Sequence, residues 1–338
     1  MQRQFYFLLS FCTLFAGLGV AQNVEEPVKD SLEAQAAGKQ GSPAILKSLQ
    51  SSQDLEVSVE NIRKPALLRS LLEEKKWRAA ETQIDDLLAK APNDASLLFW
   101  AGYLRARQSH HIEAIPFLRR SEERSPKVIA TRKVLAASYH AIHQYLLYER
   151  KMAQLINDSP QDADVHLSFA VHQILIRADL SDSTAHLIRA LQIRPTDFRA
   201  LHWLGFVAET TGDTTKARRY YERSVAELVE DKAARFSAPY LGMARLLISK
   251  EPHAALRYCL RAVEIEPLIA ENHNITGRIY LQLLRPLEAI VEFDKARQLD
   301  PTAAEPRYSL YKLYQQLNRT SEASMLLAEF ELIKRLYD

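Results

Sequence analysis

Proline recurs on a lattice in this chain. Pro92, Pro126 and Pro160 are spaced 34 apart, Pro195 follows after 35, and Pro267 and Pro301 are again separated by 34. Proline has no backbone N–H and cannot continue a helical ladder, so a proline at fixed phase ends one element and opens the next at that interval. The wider gap between Pro195 and Pro267 holds two such intervals with a small insertion. A chain tiled in this way is built from stacked copies of one supersecondary unit.

Glycine keeps the same phase. Of nine glycines, Gly17, Gly19, Gly38 and Gly41 lie near the N-terminus; the rest are Gly102, Gly205, Gly212, Gly242 and Gly277. Gly102 and Gly277 each precede their proline by 24, Gly242 does so by 25, and Gly205 occupies the equivalent slot. A glycine inside a helix costs about 1 kcal/mol against alanine. Its recurrence at one slot predicts that a neighbouring helix passes close there. Gly212, between Glu209 and Asp213, is expected to break the chain between two helices. The clearest interval, Ala270 to Ala303, carries Gly277, Tyr280, Ala289, Phe293, Ala296 and Pro301. Ala289, Phe293 and Ala296 share one helical face by their i, i+4, i+7 spacing. Leu310-Tyr311, Tyr314, Ala323 and Leu327 repeat the pattern, as do Gly205, Ala208, Ala217 and Tyr221, and Gly102, Ala114 and Leu118.

These residues resemble the tetratricopeptide repeat, whose signature of W-x2-L-G-x2-Y, A-x3-F, A and P returns at the same interval as the prolines here. Eight units are expected, near 61–94, 95–128, 129–163, 164–197, 198–235, 236–269, 270–303 and 304–337, making an all-α solenoid. Each helix pair cannot bury its apolar face alone, so stacked neighbours must cover it. The resemblance implies a right-handed superhelix whose groove is lined by the first helix of every pair. Carried over by phase, the lining residues are Phe99, Tyr103, Arg107, Lys133, His140, Ser168, His172, Arg199, His202, Phe206, Glu209, Asn274, Arg278, Tyr308 and Lys312. Aromatics beside Arg, Lys and His suit an extended peptide with acidic character. Three departures stand out. Tyr148 replaces the small residue of the third unit's second helix. Val229 replaces the fifth proline, with Asp231 to Arg235 lengthening that connection. Pro286 falls in the internal turn of the seventh unit. The usual polar capping helix after the last unit is expected to be missing or reduced, with the outer side of that unit's second helix serving as the cap.

Little in the chain points to catalysis. No HExxH, GxSxG, Walker A or dinucleotide fingerprint occurs. A net charge of +2, from 44 basic and 42 acidic residues, gives no basic field for nucleic acid. Of two cysteines, Cys12 falls in the N-terminal apolar run, which leaves Cys259 alone and too few for a cysteine-based zinc site. His140 and His143, three apart, could share a helix face but lack a third ligand; His110 and His111 are expected in a turn. No metal or cofactor is expected. Trp77, Trp100 and Trp203 are expected to pack in helices.

At the N-terminus, Met-Gln-Arg precedes an apolar run from Phe5 to Val20 and the small residues Gly19-Val20-Ala21. This has the form of a secretory signal peptide over 1–21. The run is short for a bilayer span, so a membrane link is expected only if the leader stays on as an anchor. Residues 22–60 have linker composition, with a short helix possible from Pro43 to Leu49. The expected function is a non-catalytic, exported interaction scaffold of a bacterial periplasm or cell envelope, binding a protein or peptide partner. The alternative is a recruiting or assembly subunit of an envelope enzyme complex, such as polysaccharide or cell-wall machinery.

Overall fold

The computed structural model describes residues 65–230 and 234–337. The expected leader, the linker with its short helix, and the first residues of the insertion lie outside the described residues. The described residues hold sixteen α-helices and no strand. They divide into two compact units, 65–195 and 196–337.

The N-terminal unit contains α1 (Ala66–Glu73), α2 (Trp77–Lys90), α3 (Ala95–Arg107), α4 (His111–Arg124), α5 (Ile129–Ala141), α6 (Tyr145–Asp158), α7 (Ala163–His172) and α8 (Leu180–Ile193). The C-terminal unit contains α9 (Phe198–Thr210), α10 (Thr214–Glu230), α11 (Ala238–Leu247), α12 (Pro252–Ile265), α13 (Ala270–Gln282), α14 (Pro286–Leu299), α15 (Ala304–Gln316) and α16 (Thr320–Tyr337). Consecutive helices pair as hairpins, and within each unit each hairpin packs on the next. Aspartates start several of these helices: Asp94, Asp162 and Asp197 accept hydrogen bonds from the first backbone N–H groups of α3, α7 and α9. Pro286 is the first residue of α14, where a missing N–H costs nothing.

Packing explains the lattice. Small residues Ala80, Ala114, Ala217, Ala255, Ala289 and Ala323 are buried in the second helices of their hairpins. One turn on, Ile84, Leu118, Tyr221, Cys259 and Phe293 fill the space so made. The glycine slot faces these larger side chains. A Cβ on Gly277 would lie 2.8 Å from the Phe293 ring. Tyr221 is held between two glycines: a Cβ on Gly205 or Gly242 would come within 2.6 or 2.5 Å of its ring. The glycines are therefore required by close approach, as their phase predicts.

The hairpin turns follow the lattice too. Lys75, Ser109, His143, Ala178, Gly212, Leu284 and Asn318 all take a left-handed backbone conformation. Lys75, Ser109 and His143 are 34 apart, but Ala178 comes 35 after His143. The added residue is taken up by a single π-helical turn, Gln173–Arg177, that continues α7. This turn accounts for the longer interval between Pro160 and Pro195. Because α5 ends at Ala141 and His143 lies in the turn, His140 and His143 do not share a helix face. His110 and His111 do fall at a turn, directly before and at the start of α4.

The last helix departs from expectation. Instead of a polar cap, the outer side of α16 exposes Met325, Leu332 and Leu336. Its inner side buries Ala323 and Leu326 against α15.

Candidate functional site

The first helices of successive hairpins carry the residues expected to bind, and in each unit their side chains meet directly. The two units use that face differently.

In the N-terminal unit, Phe99 and Tyr103 do not line an open surface. They are 1% and 3% exposed and pack with Trp100, at ring separations of 5.3–5.7 Å. Arg107 lies over the Trp77 ring at 5.4 Å. Lys133 is paired with Asp162, the cap of α7, at 2.5 Å. His140 and His172 come together around Tyr148, whose ring lies 4.8 and 4.6 Å from theirs. The Tyr148 hydroxyl donates to the Ser168 carbonyl at 3.1 Å. The large residue in the third hairpin's small slot therefore sits against the helix end where the π turn begins.

His172 is 1% exposed, which removes it from any open binding surface. Its Nε2 donates to Glu149 at 2.9 Å, and its Nδ1 is buried without a partner. Arg177 clasps the same Glu149 through two contacts of 2.6 Å. That guanidinium, chiefly, pulls the Glu149 carboxyl down to about 2. Burial, aided by the nearby His172 and His143, holds His140 down at about 4, so the ring is neutral at pH 7.

In the C-terminal unit, Arg199 folds back on Asp197 through contacts of 3.2 and 3.0 Å. His202 is 6% exposed and lies among Trp203, Tyr221 and Phe236. Burial, with a smaller contribution from Arg245, depresses it to about 3. It is a neutral core ring and cannot serve as a surface cation. Phe206 is half-buried, edge-on to Trp203 at 5.5 Å. Glu209 accepts a bidentate pair from Arg245 at 2.9 and 3.0 Å and a hydrogen bond from the Tyr221 hydroxyl at 2.6 Å.

The predicted residues that keep an accessible surface are Arg278, Tyr308 and Lys312 on α13 and α15, next to the buried Asn274. Asn274 donates from Nδ2 to Glu305 at 3.0 Å, and Arg278 reaches the other oxygen of that carboxylate at 3.4 Å. Asn274 is 4% exposed, and its Oδ1 has no hydrogen-bond partner. One turn along α15, Tyr308 is exposed, and Lys312 lies 5.4 Å from its ring centre.

Sequence reasoning missed Arg245 and Glu305. Arg245 had a signal: it stands three places after Gly242, the slot held by Arg105 after Gly102. Arg105 is likewise paired with acids, Asp85 and Glu81. Nothing in the spacing of Glu149 and Arg177 predicts their contact, because the π turn creates it.

Among the described residues no group of three or more histidine, cysteine, aspartate or glutamate side chains converges on a metal position. None of their helices is long and apolar enough to cross a membrane.

Comparison with known proteins places the architecture. Residues 66–129 match one tetratricopeptide repeat family model and residues 198–226 match another. A chain of the APC/C hetero-tetramer Cut9-Hcn1 superposes with a TM-score of 0.64 at 14% identity, over 85% of this chain and 57% of that one. This protein thus spans little more than half the length of that structure. A tetratricopeptide repeat protein from Parabacteroides merdae ATCC 43184 gives a TM-score of 0.60 at 16% identity, over 78% of this chain and 99% of that one. The type IV pilus biogenesis factor PilW gives 0.54 at 16% identity, over 64% of this chain and 98% of that one. At such identities the likeness is one of fold. No curated protein matches the sequence. Both compact units therefore contain a stretch that matches the tetratricopeptide repeat, and the described residues form an all-α array of helical hairpins with that fold.

Proposed function

We propose that the protein is a non-catalytic scaffold that holds an extended segment of a partner protein against the first helices of its C-terminal hairpins, and that it works after export to the bacterial periplasm or cell envelope. The observation that carries the binding reading is the accessible cluster of Arg278, Tyr308 and Lys312 on α13 and α15. Asn274, buried beside it, donates to Glu305 and holds that carboxylate in place. Arg278 shares Glu305 and Lys312 lies over the Tyr308 ring, so acidic side chains of the segment would meet two cations. Tyr308 offers the exposed ring that interface energies favour. The export reading rests on the leader-like segment from Met1 to Ala21.

Photo-crosslinking tests the surface. A benzophenone side chain placed at Tyr308 should form adducts with the partner in envelope extract, and one placed at the exposed Arg218 of α10 should not. Tyr308→Ala with Lys312→Ala should weaken capture at least tenfold and leave the melting temperature within a few degrees. Adducts from Arg218 alone would move the site to the second helices. N-terminal sequencing that returns Met1 from a soluble cytoplasmic product would end the export reading.

A further inference from the structure

We infer that Glu271 recognises a basic side chain, lysine or arginine, in the segment held by the C-terminal hairpins, an assignment that rests on the binding surface proposed above. Glu271 stands in the first turn of α13. It is 34 places before Glu305, which holds the matching position on α15. The two carboxylates meet different surroundings. Glu305 is taken up by the preceding first helix: Asn274 donates to one oxygen at 3.0 Å and Arg278 reaches the other at 3.4 Å. Asn274 lies three places before Gly277, and Arg278 directly follows it. In the hairpin before Glu271, the same two slots around Gly242 hold Pro239 and Met243, both buried. Neither side chain carries a charge or a proton to donate.

That hairpin does hold one cation near Glu271, Arg245, but it is turned the other way. Both of its carboxylate contacts, at 2.9 and 3.0 Å, go to Glu209 on α9. No cation among the described residues comes within ion-pair distance of Glu271. The side chain keeps contact with solvent. The protein around it nevertheless raises its carboxyl above the usual carboxylate range, and Glu305 adds to the rise; Arg245, Arg278 and Asn274 oppose it only in part. A carboxylate short of both water and a counter-charge draws a cation more strongly than one on an open surface, because the attraction is less screened. Lysine supplies the charge, and arginine can also engage both carboxylate oxygens. Acidic side chains of the segment go to Lys312 and its basic side chain to Glu271. These two positions are one first-helix step apart across the hairpins and seven slots apart along the helix axis. With helices packed about 8–10 Å apart and a rise of about 1.5 Å per helical residue, the diagonal spans roughly four extended residues.

The test exposes the full chain to decapeptides spotted on cellulose. Each carries one aspartate and, two to six residues away, one arginine, lysine, glutamine or glutamate in a serine–alanine background. Arginine and lysine peptides should be retained about fivefold over glutamine ones, best near a separation of four. The chain's net charge of +2 gives basic peptides no general advantage. Glu271→Gln should lose the basic preference and keep the demand for aspartate, Glu271→Asp should keep both, and Glu271→Lys should turn the preference to glutamate. Lys312→Ala should lose the demand for aspartate and keep the basic preference. Because Glu271 is unpaired in the free chain, Glu271→Gln should also raise the melting temperature. A fall would mean that the fold itself uses the carboxylate, and it overturns the site. A basic preference that survives in Glu271→Gln, or aspartate-dependent retention with no basic preference in the wild type, overturns the site and leaves the binding surface standing. Retention of no peptide by the wild-type chain overturns the binding surface, and this site with it.

Discussion

The third and fourth hairpins and the fifth to seventh fill the same repeat slots with opposite chemistry. In the C-terminal unit, an aromatic ring is wedged against glycine: Tyr221 between Gly205 and Gly242, Phe293 against Gly277. In the N-terminal unit, Ala136 and Ala170 stand in the glycine slot, Tyr148 occupies the small slot, and histidines, Glu149 and Arg177 surround it. The first solution gains stability from close packing. The second buries polar groups that must each be satisfied, and His172 Nδ1 and Gln173 Oε1 are left without partners. A repeat lattice thus fixes where a helix runs without fixing what holds it there.

The sharpest test of that contrast is removal of the wedge. Tyr221→Ala should destabilise by about 3–5 kcal/mol, because truncating a buried aromatic leaves a cavity that its neighbours only partly fill. It also frees Glu209 from the hydroxyl at 2.6 Å. Leu118→Ala, at the matching slot of the second hairpin, should cost less, about 2–4 kcal/mol. Urea denaturation followed by circular dichroism measures both. Equal losses would mean that the glycine wedge adds nothing to ordinary aliphatic packing.

Much of this was legible in the sequence, and the reason is local. Prolines that end helices and glycines that admit a neighbour are backbone requirements, and they mark eight hairpins along the chain. Burial of Trp100 and Trp203 and the break at Gly212 follow from the same reading. The site was less legible. Phase alone assigns Phe99, Tyr103, His172 and His202 to an open groove, yet all four are in the interior. Whether a first-helix residue faces solvent depends on the size of what stands opposite, and that is a non-local property. Tyr148 and the π turn show the limit. The sequence registers a bulky residue and one lengthened interval as two separate irregularities, whereas in three dimensions they meet at His172.

Acid should separate the two units. Burial lowers His111, His140, His143, His172 and His186 in the N-terminal unit, but only His202 in the C-terminal unit among the described residues. A histidine whose folded value lies below its unfolded value contributes stability that is complete above about pH 6.5. That contribution is lost as pH falls, because the unfolded chain takes up the proton first. For His140 and His202, held at about 4 and about 3, each costs about 2 kcal/mol by pH 5. Glu149, held at about 2, begins to lose its contribution only below about pH 4.5, and Glu271 of the C-terminal unit, raised by burial, adds stability there as pH falls, so neither reverses the order that the histidines set. Hydrogen exchange at pH 5 and pH 7.5, compared after correction for intrinsic rates, should show protection falling more in α5–α8 than in α9–α14. His202→Phe should flatten the smaller loss in the C-terminal unit. Uniform loss of protection would mean that the polar cluster is no more acid-sensitive than the aromatic core.

The smallest effect separates two glycines in the same slot. Replacing a helical glycine by alanine gains about 1 kcal/mol of helix propensity. At Gly102 the new methyl group would meet Leu118, 2.5 Å from its Cγ, and the Ala114 carbonyl oxygen at 3.0 Å; the aliphatic side chain can change rotamer, which leaves the carbonyl contact as the smaller cost. At Gly242 it would meet the Tyr221 ring at 2.5 Å, and that ring is stopped on its other side by Gly205. A planar ring held from both sides has nowhere to turn, so the overpacking cost of about 1–3 kcal/mol stands there in full. Gly102→Ala should therefore shift the urea midpoint less than Gly242→Ala, which should lower stability by up to about 2 kcal/mol after the propensity gain. The double variant Gly242→Ala with Tyr221→Leu should recover part of the loss relative to Tyr221→Leu alone, because the methyl group then enters space that the smaller side chain leaves. If Gly242→Ala is as mild as Gly102→Ala, the ring is not clamped, and the C-terminal unit differs from the N-terminal one in composition but not in rigidity.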